Sequence, residues 1–271
     1  MRREKIRKYD RPRIDKLYYK VITAKSVDYD KASNVSEETD EFVLTMDKDQ
    51  AVFKMKCLYS SVEEAKSVIE DYLERWKVVI GLEHDPGDLD FQYDTFEFEQ
   101  VVQDGKNVVV HAVPLITKSF IIGSPEIHER RNEFPKRLGK FKLSPDVLTM
   151  YERFKRYRQG KENLTSMAYM CLTVLEESSR NSSNHNKRNN PRGKASYRYS
   201  IDYDVLDKLG ELTARGEELE ARKAPKNGTL KPLTPQERDW IIRAVKAMIR
   251  RAGEWAYDPD GQHGLITMEQ I

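Results

Sequence analysis

The chain has 271 residues, 38% of them hydrophobic and 34% charged, with a formal net charge of +2 at pH 7. That length holds one large domain or two modest ones, each with its own core. The near-neutral balance excludes a global pull on nucleic acid, so any basic site must come from local clustering.

Residues 1–16 are basic and polar and read as a frayed or partner-ordered arm. No apolar h-region follows them, so they do not read as a signal peptide. No apolar run reaches the length of a membrane span, and a cytoplasmic location is the expectation. Strands are predicted at Tyr18–Ala24, Glu41–Met46 and Ala51–Tyr59 from partial alternation and β-branched and aromatic residues. The acidic stretch Asp28–Asp40 reads as a solvated loop. A helix is predicted from Ser61 to about Val79. Ser61 is its N-cap, and Glu64 completes a capping box. Its apolar stripe is Val62, Ala65, Val68, Ile69, Tyr72, Leu73 and Trp76. After a turn at His84–Asp90, two further strands, Phe91–Val102 and Asn107–Ile116, flank Asp104-Gly105, a hairpin signal.

Residues 117–144 form a crossover rich in Gly, Pro and charge. The hydrophobic period then changes from strand to helix. Ser144-Pro145 opens the first of four predicted helices. The second runs through Leu164–Leu175, and the third follows Ile201. The last starts at the capping box Thr234-Pro235-Gln236-Glu237 and buries Trp240, Ile241, Ala244, Val245, Met248, Ile249, Ala252 and Trp255. The fold class is therefore α+β: an N-terminal, mainly antiparallel β-sheet with one packed helix, then a C-terminal helical bundle. The expected divisions are the arm at 1–16, a β-rich domain at 17–143, a helical domain at 144–257 and a tail at 258–271.

Cys57 and Cys171 sit in apolar stretches and read as buried core thiols. His84, Asp85, Asp88 and Asp90 are grouped, but the Pro-Gly among them says turn, so no metal is expected. Asp258-Pro-Asp260-Gly261 reads as a helix-ending turn, since it lacks the later ligands of a calcium loop. No phosphate-binding glycine loop, nucleophile elbow or zinc-protease motif occurs, and no cofactor is implied.

The one sharply basic stretch is 180–198, read as a polar loop. It carries Arg180, Lys187, Arg188, Arg192, Lys194 and Arg198 with no Asp or Glu, and five Asn. Arg and Lys supply phosphate contacts, Asn reads base edges, and Tyr197 and Tyr199 offer stacking faces. Arg222 and Lys223 follow a charged helix end and form a second phosphate anchor or a simple offset of the helix dipole.

Within the stretch, Arg180-Asn181-Ser182-Ser183-Asn184-His185 has an Arg, a polar residue, three variable positions and a His. Together with the surrounding helices, over about 145–257, this resembles HEPN proteins, the nucleotide-binding helical bundles, some of which serve in antiviral defence. The resemblance implies a metal-independent ribonuclease site shared across a homodimer. His185 would act there as general acid or base, and Arg180 would hold the scissile phosphate. Departing from the family pattern, Ser-Ser-Asn rather than an apolar residue precedes the His. Three functions stay open: an RNA- or nucleotide-phosphate-binding protein whose β-rich half takes a protein partner, a scaffold without nucleic-acid contact, and an active ribonuclease.

Overall fold

A computed structural model describes residues 13–101, 107–111, 129–135, 139–180, 190–215 and 232–271. The chain divides into two compact units, Met1–Lys136 and Arg137–Ile271.

The first unit is built on a six-stranded sheet in the order β3-β4-β5-β1-β6-β7. Its strands are β1 (Arg13–Thr23), β3 (Val35–Glu38), β4 (Phe42–Met46), β5 (Gln50–Met55), β6 (Leu89–Val101) and β7 (Asn107–His111), and every pairing among them is antiparallel. A small parallel ladder joins β2 (Val27–Asp28) to β8 (Glu129–Arg130). The helix α1 (Val62–Glu83) lays Ala65, Ile69, Tyr72, Leu73, Trp76 and Ile80 on one face of the sheet.

Alternation makes that face. Leu17, Tyr19 and Val21 of β1 and Phe53 of β5 are buried, while Lys16, Tyr18, Lys20 and Lys54 turn the other way. Phe42, Phe53, Tyr72 and Trp76 meet edge to face, and Trp76 stacks on Phe91. Burying Trp76 keeps its polar end satisfied, because its indole N–H donates to the Pro135 carbonyl at 3.0 Å. Truncating such a ring costs about 3–5 kcal/mol.

The second unit holds five helices among the described residues. They are α2 (Pro145–Arg158), α3 (Leu164–Ser178), α4 (Pro191–Tyr199), α5 (Tyr203–Leu212) and α6 (Pro235–Tyr257). Val147, Met150 and Phe154 of α2 pack with Met167, Cys171 and Leu175 of α3 and with Ile241, Val245 and Ile249 of α6. The chain is thus α+β, with the sheet N-terminal and the bundle C-terminal.

Several expectations need correction. The first strand starts at Arg13, inside the expected arm, because Ile14 and Leu17 complete the inward face. Asp28–Asp40 is not wholly a loop: Tyr29 is buried and stacks on Phe134 at 4.8 Å, and β3 is an acidic edge strand. Charged side chains suit an edge, where they discourage pairing with other chains. The first helix extends to Glu83. Its cap is one-sided, for Ser61 accepts from the Glu64 N–H while the Glu64 carboxylate accepts from Ser60. Cys57 is exposed, just past the end of β5, whereas Cys171 is buried. The expected turn at Asp104-Gly105 lies outside the described residues, and its flanking strands β6 and β7 do pair antiparallel.

The largest correction concerns 180–198. Asn190 caps a helix there, its Oδ1 accepting from the Gly193 N–H at 2.6 Å, and Pro191 occupies the first helical position. Gly193, Ala195 and Tyr199 are buried, so small side chains and one ring dock this helix where large aliphatics are absent. Ser200 then turns left-handed at φ 47°. The segment after α6 is also tied down, since Asp202 N–H donates to the Ile266 carbonyl at 2.8 Å and Ile266 N–H to that of Ser200 at 2.9 Å.

Candidate nucleic-acid interface

The described cations of the basic stretch are engaged within the bundle. Arg192 donates from Nε to Glu176 of α3 at 3.1 Å and from a terminal nitrogen to Asp207 of α5 at 2.7 Å. Lys194 donates to the Arg180 carbonyl at 2.9 Å. Arg198 donates to the Ser178 carbonyl, and its guanidinium lies 4.0 Å over the Trp255 ring. Together these cations fasten α4 to α3, α5 and α6. Arg180 forms an exposed ion pair with Glu177, one helical turn back. His185, Lys187, Arg188, Arg222 and Lys223 lie outside the described residues. Tyr199 is buried with its hydroxyl 3.1 Å from that of Ser178, and Tyr197 is exposed.

A different cationic surface emerges from the division of the chain. Residues 1–136 contain 22 Lys and Arg against 27 Asp and Glu, and residues 137–271 contain 25 against 18. The near-neutral whole is therefore an acidic unit of −5 and a basic unit of +7. Within the basic unit, α6 from Trp240 to Gly253 bears Arg243, Lys246, Arg250 and Arg251 and no carboxylate.

Helical geometry sorts these four. Arg251 is buried, donates to the carbonyls of Tyr199 and Ser200 at 2.9 and 3.0 Å, and pairs with Glu254. Arg243, Lys246 and Arg250, at spacings of three and four, form one row on the side away from the apolar core. Arg243 is exposed and the other two are half-buried. Lys246 Nζ lies 5.6 Å from the centroid of Phe154, which sets the row beside α2. That helix ends in Lys155, Arg156 and Arg158, followed by exposed Lys161. Glu162 takes up part of this charge, at 3.1 Å from Arg153 and 3.8 Å from Arg156.

Sequence reasoning missed this row. Its signal is three cations at helical spacing opposite the apolar stripe, which is weaker in one dimension than the contiguous, acid-free run 180–198.

Polar groupings elsewhere on the described surface contain ion pairs and hydrogen bonds of their own. Asp88 accepts from Arg131 at 2.9 Å and Asp90 pairs with Lys77 at 2.7 Å, so the His84–Asp90 group is not a set of free carboxylates. No metal-holding group occurs among the described residues. On the sheet, buried Glu97 accepts from Lys16 at 2.8 Å and from the Tyr18 hydroxyl, bridging positions within the β1–β6 pair. Burial, and then the Glu97 bond, raise the Tyr18 pKa above its ordinary value. A shallow cleft of about 350 Å³ is lined by Thr23, Val27, Asp28, Tyr29, Asp30, Lys48 and Asp49, and Lys48 and Asp30 close on each other at 2.7 Å.

Fold and surface together define a two-unit α+β protein whose helical unit presents a cationic row. No helix among the described residues is long and apolar enough to cross a membrane. The chain matches no protein-family model, and comparisons with curated proteins and with solved structures return no match.

Proposed function

We propose that this is a cytosolic RNA-binding protein whose helical unit holds the phosphate backbone. The observation that carries this reading is the acid-free stretch of α6, with Arg243, Lys246 and Arg250 in one outward row on a unit of net charge +7. A row of cations on a rigid helix suits a phosphate chain, because each contact releases condensed counterions and needs no base identity. The seven cations first read as nucleic-acid ligands do not carry the proposal. Three of them fasten α4, and Lys187, Arg188, Arg222 and Lys223 lie outside the described residues.

The test is binding of a short labelled single-stranded RNA, followed by anisotropy across a salt series. Three phosphate contacts give log K a slope against log salt of about −2. Replacing Arg243, Lys246 and Arg250 together with Ser should remove most of that slope and leave the fold intact, as read by circular dichroism. Absence of binding at low salt, or a slope untouched by the triple change, would overturn the proposal and favour a scaffold without nucleic-acid contact.

A further inference from the structure

The cationic row continues, in register, into an exposed aromatic ring. Counting along α6 from Arg243, the positions Lys246, Arg250 and Tyr257 fall at +3, +7 and +14, which keeps all four near one side of the helix. Tyr257 is 51% exposed and makes no hydrogen bond or ring contact among the described residues. Trp255, two residues earlier, is treated oppositely. Its ring is covered by the Arg198 guanidinium at 4.0 Å and by Tyr199 at 5.6 Å. The helix end therefore carries one ring used for packing and one open to solvent. Asp239 and Glu254 flank the row one helical turn from Arg243 and from Arg250, and Glu254 pairs with Arg251 at 3.0 Å, which offsets its repulsion of a phosphate beside Arg250.

Resting on the RNA-binding reading above, we infer that this side of α6 takes a single strand rather than a duplex, with phosphates along Arg243, Lys246 and Arg250 and an unpaired base stacked on Tyr257. The ring lies about 10 Å beyond Arg250 along the axis, at 1.5 Å per residue, so base and phosphate contacts follow one another instead of competing. The preference arises from what each nucleic acid can offer. Bases of a single strand can splay out onto an aromatic face, whereas those of a duplex are already paired and stacked. A duplex can use the cations alone.

The experiment compares one single-stranded RNA with the blunt duplex of the same sequence, on the full chain and on the variants Tyr257→Ala and Tyr257→Phe. The expected result is about a tenfold loss of single-strand affinity for Tyr257→Ala, with Tyr257→Phe close to the parent and duplex affinity unchanged by either. Single-strand affinity untouched by Tyr257→Ala, or an equal loss for the duplex, overturns the stacking inference and leaves the phosphate reading standing. Failure of both RNAs to bind at low salt overturns both. Because Tyr257 is exposed at the helix end, neither variant threatens folding.

Discussion

Arg192 of α4 reaches Glu176 of α3 with its Nε, at 3.1 Å, and so turns the most basic stretch of the sequence into a fastening of the bundle. The same guanidinium holds Asp207 of α5 at 2.7 Å. Both Arg192 and Glu176 are largely covered, though not fully, so the pair is worth about 1 kcal/mol after solvent screening. A double-mutant cycle of Arg192→Ala with Glu176→Ala, followed by urea denaturation, should return a coupling of that size. The coupling should weaken in high salt, and a value near zero would show that the pair is incidental.

The docking of α4 makes a second prediction. Although this region is rich in Lys and Arg, cleavage after Arg192, Lys194 or Arg198 should be slow in the folded protein. These residues lie in a helix fixed by the Asn190 cap, buried Tyr199 and the Arg198–Trp255 contact. Mass spectrometry of a limited trypsin digest should find the earliest cuts elsewhere. An early cut after Arg192 would show that the helix opens readily in solution.

Gly253 supplies a third. A β-carbon at this position of α6 would meet the Phe141 ring at 2.0 Å, and the Gly253 carbonyl also accepts from the Lys142 N–H at 3.0 Å. The close approach fixes the segment before α2 against α6. Gly253→Ala should cost about 1–3 kcal/mol by overpacking, despite the better helix propensity of Ala. Adding Phe141→Leu, which withdraws the ring, should make the Ala substitution less costly. Equal costs in both backgrounds would exclude the clash.

The start of α6 gives a pH dependence. The Thr234 N–H, and then Arg215, donate to Glu237 and hold its carboxyl down at about 2, from an ordinary value of 4.5. Between those values the unfolded chain binds the proton and the folded chain does not, so stability falls as pH falls through this window. Above 4.5 the contribution is fully present. Glu237→Gln should therefore lose about 1 kcal/mol at neutral pH, a modest figure because the side chain is partly exposed. Its melting temperature should converge on that of the parent as pH drops toward 2. A difference independent of pH would remove the linkage.

The strands and helices were legible where one local pattern decided them. Leu17, Tyr19 and Val21 alternate, and Trp240, Ile241, Ala244, Val245 and Met248 repeat at helical spacing, so each element declares its buried face. Thr234 and Glu237 likewise announce the start of α6, because a reciprocal cap involves neighbours only three residues apart. β3 was hidden, since an edge strand buries little and carries Glu37 and Glu38. The helix α4 was hidden because Gly193 and Ala195 are too small to mark an apolar stripe.

Composition, periodicity and capping by themselves determined an α+β chain with its sheet first and its bundle second, because burying apolar faces is a demand each segment makes locally. What the charges do was decided only by tertiary structure. Arg192 and Arg198 look as available in sequence as Arg243, yet Glu176, Asp207, the Ser178 carbonyl and the Trp255 ring, distant in the chain, converge on the first two. Arg243 instead lies exposed on a helix whose neighbouring face is core. A cation's role depends on which partners the fold brings within hydrogen-bond reach, and those separations in the chain leave no periodic trace in sequence.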